Sequence, residues 1–286
     1  ENKGAELTIN TQNIITNNFS WRSTLIYATN ANKVLSLGPS QSFFPVAPTG
    51  QVSPVIVKVG LPVGTFWGYS TDGLLTTTDV YSGKAAPKLS GVSQGTGDRK
   101  YVDINGDGIV TTADKHNLGN AQPKFTASFS NTLTYKNIDL SFFFQGSFGN
   151  KIFNLLQQQL EKTTTTQNVS SVLLNRFDSV ANPNGKFPKV VNAPVVQVAD
   201  VYIEDGSYVR LKNITLGYNF SKDIAGKILA KQIRVYVSAQ NLLTITKYKG
   251  LDPEANFYDQ NNLQQGIDYG VYPNYRSYTV GINVTF

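Results

Sequence analysis

Between residues 207 and 220 apolar and small polar side chains alternate. Ile214, Leu216, Tyr218 and Phe220 fall on one face of an extended chain, and Asn213, Thr215, Gly217 and Asn219 on the other. A period of two marks a β-strand. The pattern returns at 232–243, where Ile233, Val235, Val237 and Ala239 oppose Arg234, Tyr236, Ser238 and Gln240. It returns again at 275–286, where Tyr278, Val280, Ile282, Val284 and Phe286 oppose Ser277, Thr279, Gly281, Asn283 and Thr285. Looser versions run through 124–136, 18–30 and 5–15, and 138–149 is apolar on both faces at Phe142, Phe143 and Phe144. The pattern predicts seven strands and an all-β chain.

The second face of these strands carries Ser, Thr, Asn, Gly and Gln, with few charges. A soluble β-sandwich usually shows Lys and Glu to water. A transmembrane barrel instead puts its apolar row against lipid, its polar row in the lumen and aromatics at the strand ends. Trp21, Tyr27, Tyr135, Tyr218 and Phe286 lie near such ends. The alternation therefore predicts Ile214, Leu216, Val235, Val237, Val280 and Ile282 on the lipid side, with Ile282 near mid-membrane. Thr215, Arg234, Ser238, Thr279 and Asn283 are predicted to face the lumen. Short turns at 16–18, 136–137 and 221–231 alternate with long connections at 36–123, 150–206 and 244–274, as an up-and-down barrel requires. All the long connections then lie on one side, the extracellular one. Seven strands leave two open edges, so residues 1–286 are expected to form one segment of a larger antiparallel barrel.

Composition narrows the chemistry. Only 15% of residues are charged, there is no Cys and there is one His. Disulfides, thiol nucleophiles and two-histidine metal sites are excluded. No run is long and apolar enough for a transmembrane helix. The net charge of +6 is spread without a basic cluster, which argues against a nucleic-acid partner. The absence of Met, and of an apolar stretch after Glu1, predicts an inner or C-terminal part of a longer protein.

Several motifs in order resemble the C-terminal third of the SusC/RagA family. They run from Val59-Gly60-Leu61-Pro62 through Trp67-Gly68-Tyr69 and Thr71-Asp72-Gly73, to Lys100-Tyr101-Val102-Asp103-Ile104-Asn105-Gly106-Asp107-Gly108 and Leu118-Gly119-Asn120. Asp139-Leu140-Ser141-Phe142, Phe144-Gln145-Gly146 and Gly149-Asn150 follow. Next come Ile203-Glu204-Asp205-Gly206 with Tyr208-Val209-Arg210-Leu211-Lys212-Asn213, then Ala239-Gln240-Asn241-Leu242 and Lys249-Gly250-Leu251-Asp252-Pro253-Glu254. Phe177 departs from the pattern, since the family more often has Trp there. The resemblance implies an outer-membrane TonB-dependent transporter of glycans or peptides in a Gram-negative bacterium, not an enzyme. It implies a plugged barrel of roughly 22 strands, a SusD-like surface lipoprotein and a TonB complex reached through a region outside this chain.

One loop carries metal-binding chemistry. Asp103, Asn105, Asp107, Ile109, Thr111 and Asp114 match the first, third, fifth, seventh, ninth and twelfth places of a calcium loop, with Gly108 at the sixth. Ile109 would give its carbonyl, and Asp114 would stand where Glu is usual. The same spacing also suits metal-free Asx turns. Phe257, Tyr258, Tyr269 and Tyr272 either stack on sugars or pack the outer loop. Ile152, Leu155, Leu156 and Leu160 predict a short helix within 152–179. His116, and the pairs Glu204–Asp205 and Asp252–Glu254, read as structural. Two rival functions stay open: a secreted, calcium-stabilised, carbohydrate-binding β-sandwich, and a non-transporting outer-membrane scaffold of the same fold.

Overall fold

The computed structural model describes residues 1–45, 53–81, 88, 89, 91–162, 168–190, 197–258 and 260–286. All seven predicted strands form, within a few residues of their expected ends. They are β1 (Asn2–Ile15), β2 (Phe19–Asn32), β3 (Phe125–Tyr135), β4 (Ile138–Phe148), β5 (Tyr208–Asn219), β6 (Gln232–Thr246) and β7 (Ser277–Thr285). Each pairs antiparallel with the next in sequence, giving one up-and-down sheet. Among the described residues the outer edges of β1 and β7 have no strand partner.

Register turns the alternation into continuous rows. Ile14, Trp21, Leu133, Leu140, Leu216, Val237 and Val280 run across all seven strands on one face. This face is uncovered: Leu216 is 52% exposed, Val280 74% and Ile282 66%. A sandwich folded in water would bury it, so the soluble rival loses its physical basis. The next row is Phe19, Tyr135, Ile138, Tyr218, Val235 and Ile282. It starts beside the turn between β3 and β4 and moves away from the short-turn end toward β7, where Ile282 lies one residue past the middle of Ser277–Thr285. Asn131 interrupts the apolar face. It is buried and accepts hydrogen bonds from Trp21 Nε1 at 2.8 Å and Ser23 Oγ at 2.7 Å.

On the polar face, Arg234 reaches over Gly217 to Asp139, which also accepts from Asn219 Nδ2 at 2.9 Å. A Cβ at Gly217 would lie 2.4 Å from the Arg234 guanidinium, so glycine is what lets the pair form. Register shifts break the regular pairing near Asn13 in β1 and Lys212 in β5.

The hydrophobic core is not in the sheet. It lies in the long connections, whose described residues form small sheets and short helices. One small sheet joins His116–Asn120, Thr65–Gly68, Val55–Lys58 and Ser42–Phe43, and another joins Ile203–Asp205, Lys151–Asn154 and Ile267–Asp268. Between them Val55 and Phe66 from the first connection meet Phe153, Leu155, Val198, Ala199 and Tyr202 from the second and Ile267 from the third. The three connections therefore form one cap with a shared core at the long-loop end of the sheet. The helix expected in 152–179 is Leu155–Leu160; Ile152 belongs to the preceding strand.

Candidate functional site

The cap carries the loop with calcium spacing, between the strands Arg99–Tyr101 and His116–Asn120. Asp103 accepts backbone N–H groups from Gly106 at 2.8 Å and Gly108 at 2.7 Å. Asn105 Oδ1 accepts from Asp107 N at 3.0 Å, and Asp107 Oδ1 from Ile109 N at 2.9 Å. Gly108 sits at φ +87°, where the chain turns and other side chains are strained. Asp114 is set apart: it is 1% exposed and accepts from Ile104, Asn105 and Thr111 N–H groups. Burial alone would raise its pKa, but the N–H groups of Thr111, Asn105 and Ile104 outweigh that and hold it below the usual carboxylate value. Thr111 caps the turn Thr112–Asp114 by accepting from Ala113 N.

These residues suit a hard cation by donor type, since all six offer oxygen. Among the described residues no three His, Cys, Asp or Glu side chains gather into a metal cluster. A cation here would therefore lean on Asn105, Thr111 and the Ile109 carbonyl as well as on Asp103 and Asp107. Asp114 already closes the loop through N–H donors.

A second cluster, which the sequence reading did not assemble, ties the outer loop to the wall. Arg210 of β5 is 2% exposed and donates to Asp252 Oδ1 and Glu254 Oε2, each at 2.6 Å. Lys212 Nζ donates to Glu254 Oε2 at 2.9 Å, and the Tyr208 hydroxyl also donates to Glu254. Asn274 donates to Asp252 from its backbone N–H at 2.9 Å and from its side chain at 3.1 Å. The signal was present in the sequence: two basic residues and two acidic ones, each pair two apart, in a chain poor in charge.

Over its whole length the chain is 38% identical to TonB-dependent receptor P3 of Formosa agariphila and 36% identical to TonB-dependent receptor P26 of the same bacterium, spanning 29% of each. It is 26% identical to TonB-dependent receptor SusC of Bacteroides thetaiotaomicron, again along its whole length, and spans 26% of that protein. This chain belongs to the SusC/RagA-type TonB-dependent receptors. The structure of the RagAB peptide transporter matches the whole chain with a TM-score of 0.77 at 21% identity, over 29% of that chain, and so shares its fold. No family model matches the chain. The receptor segment described here thus spans less than a third of the length of these relatives.

Other residues of the receptor segment singled out by the sequence are built into the cap. Phe257 packs edge-on against Tyr258 and Tyr269, and the two tyrosines rest against the shared core. Tyr272 stands clear at 85% exposed. His116 lies between Ser70 Oγ at 3.2 Å and the Asp114 carbonyl at 3.3 Å. Glu204 accepts from Asn154 and from Lys249 N, each at 2.9 Å, joining the second connection to the third. Asp205 accepts from both the hydroxyl and the N–H of Ser207, which lower its pKa.

Proposed function

We propose that this receptor segment is part of an outer-membrane importer of glycan oligomers, with peptides as the second substrate class. In this reading the apolar rows meet the bilayer of a Gram-negative outer membrane, and the polar face lines a conduit completed by further strands and a plug. The connections 36–123, 150–206 and 244–274 face outward and dock a SusD-like lipoprotein. A TonB complex supplies the energy through a part of the protein outside this chain. The observation that carries the reading is the inverted distribution of apolar side chains: exposed along the sheet, buried in the cap. Growth of a receptor-deletion strain on defined oligosaccharides or peptides, with and without a protonophore, tests it. Loss of growth on a glycan, mimicked by the protonophore, is expected. Loss confined to peptides would replace the substrate class, and unchanged growth on both would leave a scaffold.

We also propose that Ca²⁺ stabilises the loop from Asp103 to Asp114, with Asp103, Asn105, Asp107, Thr111 and the Ile109 carbonyl as ligands and Asp114 at the closing place. The support is the oxygen-only donor set and its spacing. Calorimetric titration of the full receptor should show binding with a Kd on the order of 10⁻⁴–10⁻³ M, lost in Asp103→Ala and Asp107→Ala. Equal heats in wild type and both variants would remove calcium from the account.

A further inference from the structure

At the rim where the sheet meets the cap lies a cleft of about 540 Å³, within the usual range for small-ligand sites. Its lining mixes amides and lysines, and no acidic residue contributes to it. Asn32 and Asn120 are fixed by hydrogen bonds to their neighbours, and they brace the floor. Asn117 spends its Oδ1 on Gly119 N, which leaves its Nδ2 unused among the described residues. Gln122 donates to Gln265, and no donor to its own Oε1 is seen among those residues. Pro62 and Pro123 stiffen the walls.

The two lysines are laid into this cleft by glycines. A Cβ at Gly149 would lie 2.8 Å from Lys124 Cδ and Cγ, and a Cβ at Gly119 would lie 2.7 Å from Lys151 Cγ. Both glycines hold positive φ, +81° and +125°. The stems of Lys124 and Lys151 thus occupy the room that missing side chains leave. Neither lysine makes an ion pair among the described residues. Asp205 faces Lys151 in register and feels its charge, but they form no ion pair and the Asp205 hydrogen bonds come from Ser207.

We propose that this cleft binds an anionic saccharide: a polyhydroxylated ligand bearing a carboxylate, sulfate or phosphate. Amides match sugar hydroxyls because each partner both donates and accepts. Two ammonium groups with no ion-pair partner among the described residues, in a lining without acids, select the negative group. One source is a free acidic oligosaccharide, in which case the inference deepens the glycan reading above and rests on it. The other source is the phosphorylated sugar of lipopolysaccharide, which does not depend on that reading.

The test uses the full receptor in detergent, with tetragalacturonate, neutral maltotetraose and tetraglutamate as soluble probes. Intact and dephosphorylated lipopolysaccharide serve as competitors. Tetragalacturonate should bind more tightly than maltotetraose, or intact lipopolysaccharide more tightly than its dephosphorylated form, which keeps only its carboxylates. Lys124→Gln with Lys151→Gln should weaken that binding by about 10- to 100-fold, while Lys124→Arg with Lys151→Arg should keep it. Binding by tetragalacturonate assigns the free source, and binding by lipopolysaccharide alone assigns the membrane source. Equal binding of maltotetraose, equal binding of tetraglutamate, or a double Gln variant that binds like wild type would overturn the proposal. Growth on neutral glycans, measured separately, reports on the import reading and not on this cleft.

Discussion

Arg210 shows how much one side chain holds. It reaches from the wall to the outer loop, and its partners Asp252 and Glu254 are both held by further donors. Replacing it with Met leaves Asp252 buried with its charge uncompensated, a loss of about 3–5 kcal/mol. Hydrogen exchange of 247–276 in Arg210→Met should therefore rise sharply while the sheet stays protected; unchanged exchange would mean that the loop is held by its packing alone. The same cluster responds to acid. Burial by itself would raise the Asp252 pKa, but the Glu254 N–H, the Arg210 guanidinium and the Asn274 N–H bring it below the ordinary value. A lowered folded pKa means that its stabilisation is complete above about pH 4 and is lost as pH falls through the lower folded value. Protection of this loop's amides, relative to their intrinsic exchange at each pH, should hold down to about pH 4 and fall below it. A loop that loosens instead between neutral pH and 5 would point to another group. Arg210 and Asp252 each stood within a recognised motif, but their pairing spans 42 residues, and a sequence carries no distance between motifs.

At the scale of the element, the strands were legible because period-two alternation is a local property. Five residues of β7 on one face suffice to read its orientation. Register across strands was not legible: one row joins Ile138 at the start of β4 to Tyr218, to Val235, the fourth residue of β6, and to Ile282 near the middle of β7. Ile214, between Phe142 and Ala239 near the middle of β5, is a probe of the apolar face flanked on both sides. Ile214→Arg should lower the heat-modifiable, assembled barrel in membranes by the equivalent of about 2–4 kcal/mol, and Thr215→Arg by much less. Equal losses at the two positions would undo the assignment of faces. The folded cap was not legible either. Its strands are two to five residues long, too short for a period to show.

At the scale of the whole molecule, two kinds of order meet at one rim. The sheet is stabilised by cross-strand bonding, and its apolar face awaits lipid; the cap is stabilised by an ordinary buried core. Phe66 is wholly buried in that core, and Phe66→Ala should cost the cap about 3–5 kcal/mol. Limited proteolysis should then cut the cap faster, with the heat-modifiable barrel undiminished. Loss of both together would show that the two parts fold as one. The shared core also has a meaning for recognition from outside. Val55, Phe153 and Ile267 come from three connections separated by whole barrel strands, yet they touch one hydrophobic centre. An antibody against the cap surface would therefore see a conformational epitope held by all three connections. A peptide copied from any one of them would not reproduce it, and a core substitution in one connection would abolish recognition of the other two.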